Sequence, residues 1–131
     1  MNNGIMLTVD RVIPASVQAV WKLLVDLDEW PQWGPPIRRA ELKPPHKELT
    51  LHATGTVYTW LPVPVPFVVT EFEPERFWAW RVAGLPATSH RVDPVDDRAR
   101  VAIGVPWWSA PYLTVCSIAL RRMETMLTVP Q

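Results

Sequence analysis

His90 is the polar side chain of this sequence best placed to do chemistry. It stands in T-S-H-R-V (88 to 92), where alternation puts Thr88, His90 and Val92 on one side of a strand. An imidazole among tryptophan and valine side chains holds one donor and one acceptor, and it titrates near neutrality unless its site shifts it. That suits proton transfer or ligand orientation. A structural histidine satisfied by Tyr58 or by a backbone carbonyl is the alternative. No second acid, base or nucleophile falls at a recognisable spacing, so the catalytic residues stay unassigned. Tyr58 can donate to a ligand carbonyl or fill the core with its hydroxyl on a partner. His46, Glu48 and His52 share a polar segment, but the sequence sets no further ligand beside the two imidazoles, and no metal site is expected. Nothing resembles a phosphate loop, a dinucleotide fingerprint, a nucleophile elbow or a cysteine-based metal site, and no cofactor is expected.

Strand parity decides which other groups join His90. In 77 to 82, Trp78, Trp80 and Val82 share one face while Phe77, Ala79 and Arg81 share the other. The ring-bearing face is assigned to the interior, together with Val101, Ile103 and Val105 and with Tyr58 and Trp60. The last helical stretch supplies small or flexible side chains, Cys116, Ala119, Met123 and Met126. Large rings facing such residues leave space, and an internal pocket is expected. The ligand-lining candidates are therefore Tyr58, Trp60, Trp78, Trp80, His90, Ile103, Cys116, Ala119, Met123 and Met126. Arg122 borders the same helical face and is expected to snorkel to the surface. Trp107 and Trp108, where the last strand meets the helix, either plug one end of the interior or form an apolar rim for another chain.

The elements that hold these residues follow from periodicity. Ile5 to Ile13 alternates as a strand and leads into I-P-A-S-V-Q-A-V-W (13 to 21). There Pro14 precedes the first turn, Ser16 caps it, and Val17, Val20, Trp21, Leu24 and Leu27 recur at helical spacing. Pro31, Pro35 and Pro36 force a turn, with Trp30 and Trp33 expected to lock it against the sheet. Strands are expected at 37 to 42 (a short edge), 54 to 61, 67 to 73, 77 to 82, 88 to 92 and 98 to 105. P-V-P-V-P (62 to 66) reads as a rigid hairpin connection, and D-P-V-D-D (93 to 97) as a turn. A helix capped by Ser109, with Pro111 in its first turn, is expected to run to about Leu127.

Composition excludes several classes of partner. Thirteen basic and thirteen acidic residues cancel over 131 residues, so no nucleic-acid or anionic-membrane footprint arises. No apolar run approaches the ~18 residues of a membrane span, and stable membrane insertion is not expected. The single cysteine, Cys116, cannot form an internal disulfide, which fits a reducing, cytoplasmic setting. The length suits one domain, residues 1 to 131.

One strand, a helix, a short turn, six strands and a long helix make an α+β arrangement with the helices on one face of an antiparallel sheet. In that order the sequence resembles the SRPBCC superfamily, which includes START domains, the birch pollen allergen and polyketide cyclase/dehydrase-like proteins. The resemblance is carried by I-P-A-S-V-Q-A-V-W (13 to 21), L-L-V-D-L-D-E-W-P-Q-W-G-P (23 to 35), G-T (55, 56), V-T-E-F-E-P (69 to 74), F-W-A-W-R (77 to 81) and H-R-V-D-P (90 to 94). It implies a helix-grip fold: a seven-stranded curved antiparallel sheet wrapped around a long C-terminal helix, with two short helices after the first strand. The activities of such proteins are diverse, so the resemblance selects no reaction. Binding of a small hydrophobic molecule, aromatic, polyketide-like or lipid, between sheet and helix is the leading expectation. A polyketide cyclase/dehydrase-like enzyme using the same pocket is the alternative, and a protein-interaction module, monomer or homodimer, the third.

Overall fold

In the computed structural model, which describes residues 6–128, β1 (Met6–Ile13) is followed by α1 (Val17–Val25), a 3-10 turn (Leu27–Glu29) and α2 (Trp30–Trp33). Six strands come next: β2 (Arg39–Leu42), β3 (Thr54–Tyr58), β4 (Val65–Glu73), β5 (Phe77–Val82), β6 (Leu85–Val95) and β7 (Arg98–Pro106). A 3-10 segment (Trp107–Tyr112) then runs into α3 (Leu113–Thr128). Ile5, the expected start of β1, lies outside the described residues.

Every neighbouring pair of strands is antiparallel, and the order is β1-β7-β6-β5-β4-β3-β2. This curved sheet grips the C-terminal helix, the α+β helix-grip fold that the resemblance implies. On its inner face α3 packs against β1 and β7, α1 against β6 and β7, and α2 between α3 and β2. Inward residues alternate as expected in the central strands, with Phe67 and Val69, Trp78 and Trp80, His90 and Val92, and Val101, Ile103 and Val105 all buried.

The start of α1 forms as its residues dictate: Ser16 Oγ accepts the Ala19 N–H at 3.0 Å. Its end is finished by side chains. The last turn leaves carbonyls without helical partners, and two of them are taken by indoles: Trp30 Nε1 donates to Leu24 O at 3.0 Å and Trp33 Nε1 to Leu23 O at 2.9 Å. A three-residue spacing on one helical turn puts both rings on the same side, which is what W-P-x-W achieves in α2.

Several boundaries differ from expectation for local reasons. β3 stops at Tyr58 because the Leu61 N–H turns back to Thr59 Oγ1 at 3.1 Å. β6 runs through Asp93–Val95, so the turn into β7 is only Asp96-Asp97, with Asp96 at φ 55°. Pro94 is tolerated there because β5 has already ended opposite Arg91, leaving no donor required on that side. Between β5 and β6, Ala83 and Gly84 both take positive φ (54° and 80°), the geometry that closes a two-residue hairpin. Ser109 does not cap the last helix; its Oγ donates to Pro106 O at 3.0 Å, and α3 begins only at Leu113. The reason is that the chain leaves β7 in a 3-10 segment whose Ser109 is non-helical (φ −113°, ψ 31°).

Candidate functional site

The inward faces of β5, β6 and β7 meet α2 and α3 over a cavity of about 50 Å³. Its floor is Trp78, Trp80, Thr88, His90 and Ile103; its roof is Trp30, Trp33 and the Gly34–Ile37 turn on one side and Tyr112, Val115, Cys116 and Ala119 on the other. Pro35 and Tyr112 are exposed and mark the mouth. Large rings against small helix residues do border a space, but the rings nearly fill it. About 150 Å³ is enough to hold benzene, so this cavity admits only part of a ring-containing molecule.

The filling is an aromatic cluster built around Trp78. Trp30 stacks on it at 5.4 Å and 9°, and His90 stacks on it at 4.0 Å and 24°. Trp80 meets Trp30, Trp78 and Phe67 edge-on at 5.2–5.3 Å, and Trp33 meets His90 edge-on at 6.4 Å. Such pairs each add about 0.5–1.5 kcal/mol beyond area burial. Two register shifts bracket Trp80, one against β4 between Val69 and Glu71 and one against β6 between Ala79 and Arg81. The second leaves Ala87 and Thr88 opposite the single residue Trp80, and the Thr88 hydroxyl comes to rest beside the Trp80 indole.

The backbone carbonyl of Trp78 fixes the protonation of His90: it can only accept and lies 3.2 Å from Nδ1, so Nδ1 carries the proton of the neutral ring. Nε2 is then the unprotonated nitrogen and accepts the Thr88 hydroxyl proton at 2.9 Å. Thr88 Oγ1 in turn accepts the Trp80 Nε1–H at 2.9 Å. Both ring nitrogens are engaged and neither faces the cavity unsatisfied. Burial lowers the His90 pKa from 6.5 to about 3 despite the backbone bond that raises it. The Cys116 thiol is pushed up to about 11 by burial, and Tyr112 up to about 12, first by burial and then by the charge of a Cys116 thiolate. Among the described residues no Lys, Arg, Asp or Glu borders the cavity. Its lining is uncharged at neutral pH.

Six of the ten sequence candidates border this cavity: Trp78, Trp80, His90, Ile103, Cys116 and Ala119. Met123 is fully buried and Met126 half-buried further along α3, both in core packing away from the cavity. Tyr58 and Trp60 correct the assignment of β3, whose inward residues are Gly55 and Val57. Tyr58 faces outward, with its hydroxyl donating to Glu41 Oε1 at 3.1 Å and the Arg39 guanidinium 4.1 Å over its ring. Trp60 lies past the end of the strand and is 76% exposed. Arg122 is at the surface, as expected, and Trp107 and Trp108 plug nothing, being 60% and 52% exposed. Trp30, Trp33, the Gly34–Ile37 turn, Thr88, Tyr112 and Val115 border the cavity without having been singled out for it. For Thr88 a signal existed, since it shares the face of His90.

The fold and this enclosed junction of sheet and helix define the class, a helix-grip protein. A family model described as polyketide cyclase/dehydrase and lipid transport matches residues 5–124, and the chain belongs to that family. Among curated proteins none matches the sequence. Among solved structures, protein jhp0584 from Helicobacter pylori is similar with a TM-score of 0.75 at 15% identity, covering 95% of this chain and 88% of that one. Protein NE0264 from Nitrosomonas europaea aligns with a TM-score of 0.74 at 14% identity over 97% and 96% of the two chains. The Aha1 dimer from Colwellia psychrerythraea gives 0.71 at 16% identity over 95% and 97%. At these identities the likeness is one of fold. No helix among the described residues is long and apolar enough to cross a membrane.

Proposed function

We propose that this protein, acting as a single domain, binds a small hydrophobic molecule that inserts one end into the cavity between β5–β7 and α3. The observation that carries the reading is the uncharged, ring-lined cavity under Cys116 and Ala119, with its mouth at Pro35 and Tyr112. The family description, which includes lipid transport, points the same way. At about 50 Å³ the space takes a leading group and not a whole lipid or polyketide, and the rest of the ligand lies in the mouth or displaces the Gly34–Ile37 turn from α3. A cytoplasmic setting belongs to the same reading, supported by the free, buried Cys116.

Catalysis in the same cavity has less support. A proton-transferring group needs a pKa near the working pH and a free lone pair or proton, whereas His90 is neutral with both nitrogens engaged. The test is a thermal-shift and tryptophan-fluorescence screen of lipids, flavonoids and polyketide-like aromatics. A true ligand at a hundred times its Kd adds about 2.7 kcal/mol, a rise of several degrees. That rise should vanish in Ala119→Leu, which fills the cavity, and persist in Tyr58→Ala and Trp60→Ala, which lie outside it. A screen without hits, or hits indifferent to Ala119→Leu, refutes the reading.

A further inference from the structure

With Leu51 set aside, every exposed large apolar side chain among the described residues lies at one end of the sheet. The strand register defines that end: Arg39 meets Tyr58, Val57 meets Val65, Val82 meets Leu85 and Met6 meets Pro106. Trp60, Leu61 and Val63 stand on the β3–β4 connection, Leu85 at the β5–β6 turn, and Trp107 and Trp108 directly after β7. Pro62, Pro64 and Pro66 stiffen the first of these, and Pro66 O accepts the Ala83 N–H at 2.8 Å, which ties it to the second. The connections at this end, 34–38, 59–64, 83–84 and 107–112, carry no Asp or Glu. Arg38 and Arg81 are exposed beside them and make no ion pair among the described residues, whereas Arg39 is held by Glu41 at 3.5 Å. The balance of thirteen bases and thirteen acids conceals this asymmetry, because Glu75 and Asp96-Asp97 lie on connections of the opposite end.

We propose that this end docks reversibly on a lipid bilayer surface that carries anionic headgroups. Trp60, Trp107 and Trp108 enter the boundary between headgroups and acyl chains, and Arg38 and Arg81 meet the anionic groups above it. Indoles suit that boundary because one side of the ring is apolar and the N–H stays wet. The charge is complementary, since cations without nearby acids are what an anionic leaflet attracts. A protein partner would need one closely packed patch to match in shape, whereas these side chains stand on three separate connections and a lipid surface yields to each. Stiff connections lose little freedom on docking. No segment has to span the bilayer. The cavity mouth, at the Gly34–Ile37 turn and Tyr112, belongs to the same end, so a hydrophobic ligand passes between bilayer and cavity without crossing water. That last step rests on the cavity-binding reading; the docking does not.

Flotation of the full chain with vesicles tests this, using phosphatidylcholine alone or mixed with roughly one third phosphatidylglycerol. The mixed vesicles should carry the protein, shift its tryptophan emission to the blue and, with brominated acyl chains, quench it. Arg38→Ala should weaken binding about 5-fold. Trp60→Ser and Trp107→Ser should each weaken it roughly 10-fold and relieve part of the quenching. All three side chains are exposed, so the variants keep the fold. Leu51→Ser, exposed at the opposite end, should bind as wild type does. Protein that stays with neither vesicle overturns the proposal, as does equal binding to both kinds or binding indifferent to the two tryptophan substitutions. A dimer by light scattering that Trp107→Ser dissociates, without flotation of the wild type, overturns it in favour of a second copy of this chain. No cavity ligand enters the experiment, so its failure leaves the cavity reading standing, and an empty ligand screen leaves the docking standing.

Discussion

Thr88→Val isolates one hydroxyl at the centre of the site. The substitution keeps the branched shape, so packing between β5 and β6 is unchanged and the cost is that of polar groups left without partners. Two are created: the Trp80 Nε1–H, which loses its acceptor at 2.9 Å, and His90 Nε2, which loses its donor at 2.9 Å. Each unsatisfied buried group costs about 1–3 kcal/mol. Trp80 is 8% exposed and His90 3%, and water has little access to either, so the sum is about 2–6 kcal/mol. For a chain of this size that lowers Tm by roughly 6–24 °C. Urea unfolding at pH 7 gives the free energy directly, and an unchanged m-value certifies that the native state is still compact. Thr88→Ser keeps the hydroxyl and should stay within about 1 kcal/mol of wild type. A Thr88→Val protein within about 0.5 kcal/mol of wild type would refute the chain of bonds from Trp80 through Thr88 to His90.

His90 also gives the fold a defined pH dependence. Its folded pKa of about 3 lies below the unfolded value of 6.5, so between these pH values the unfolded chain binds more protons and stability falls as pH falls. At about 1.4 kcal/mol per unit the loss from His90 reaches roughly 2 kcal/mol at pH 5. The difference in urea stability between pH 7 and pH 5 should shrink by that amount in His90→Gln, and equal slopes in the two proteins would contradict it. Gly55→Ala should be costly although the change is one methyl, because a Cβ at Gly55 meets Glu41 O at 2.3 Å and the Phe67 ring at 2.6 Å. About 1–3 kcal/mol is expected, with disorder of the β2–β3 pairing seen by amide exchange; a stability equal to wild type would mean that the edge strand yields freely.

Legibility followed the physics of each segment. β5, β6 and β7 were readable because a two-sided sheet with one buried face enforces alternation, and Trp78, Trp80, His90 and Ile103 could be placed inward from it. The same reasoning misplaced Tyr58 and Trp60, since it took aromatic character as the sign of the buried face. At the edge of the sheet that sign fails: Arg39 and Glu41 on β2 offer Tyr58 a cation and an acceptor on the outer side, while Gly55 turns inward to admit Phe67. The size of the cavity was not legible either. It depends on how four indoles and an imidazole stack, which alternation does not specify.

The W-P-x-W turn joins fold and site in a way that neither periodicity nor motif reveals. Its indole N–H groups complete the last turn of α1, and its ring faces close the cavity over Trp78 and His90. Anything that widens the cavity by moving Trp30 or Trp33 therefore unties α1 at the same time. Widening through Gly34–Ile37 and Tyr112 leaves both indole bonds in place. For a ligand of the proposed kind, that second route is the cheaper way in.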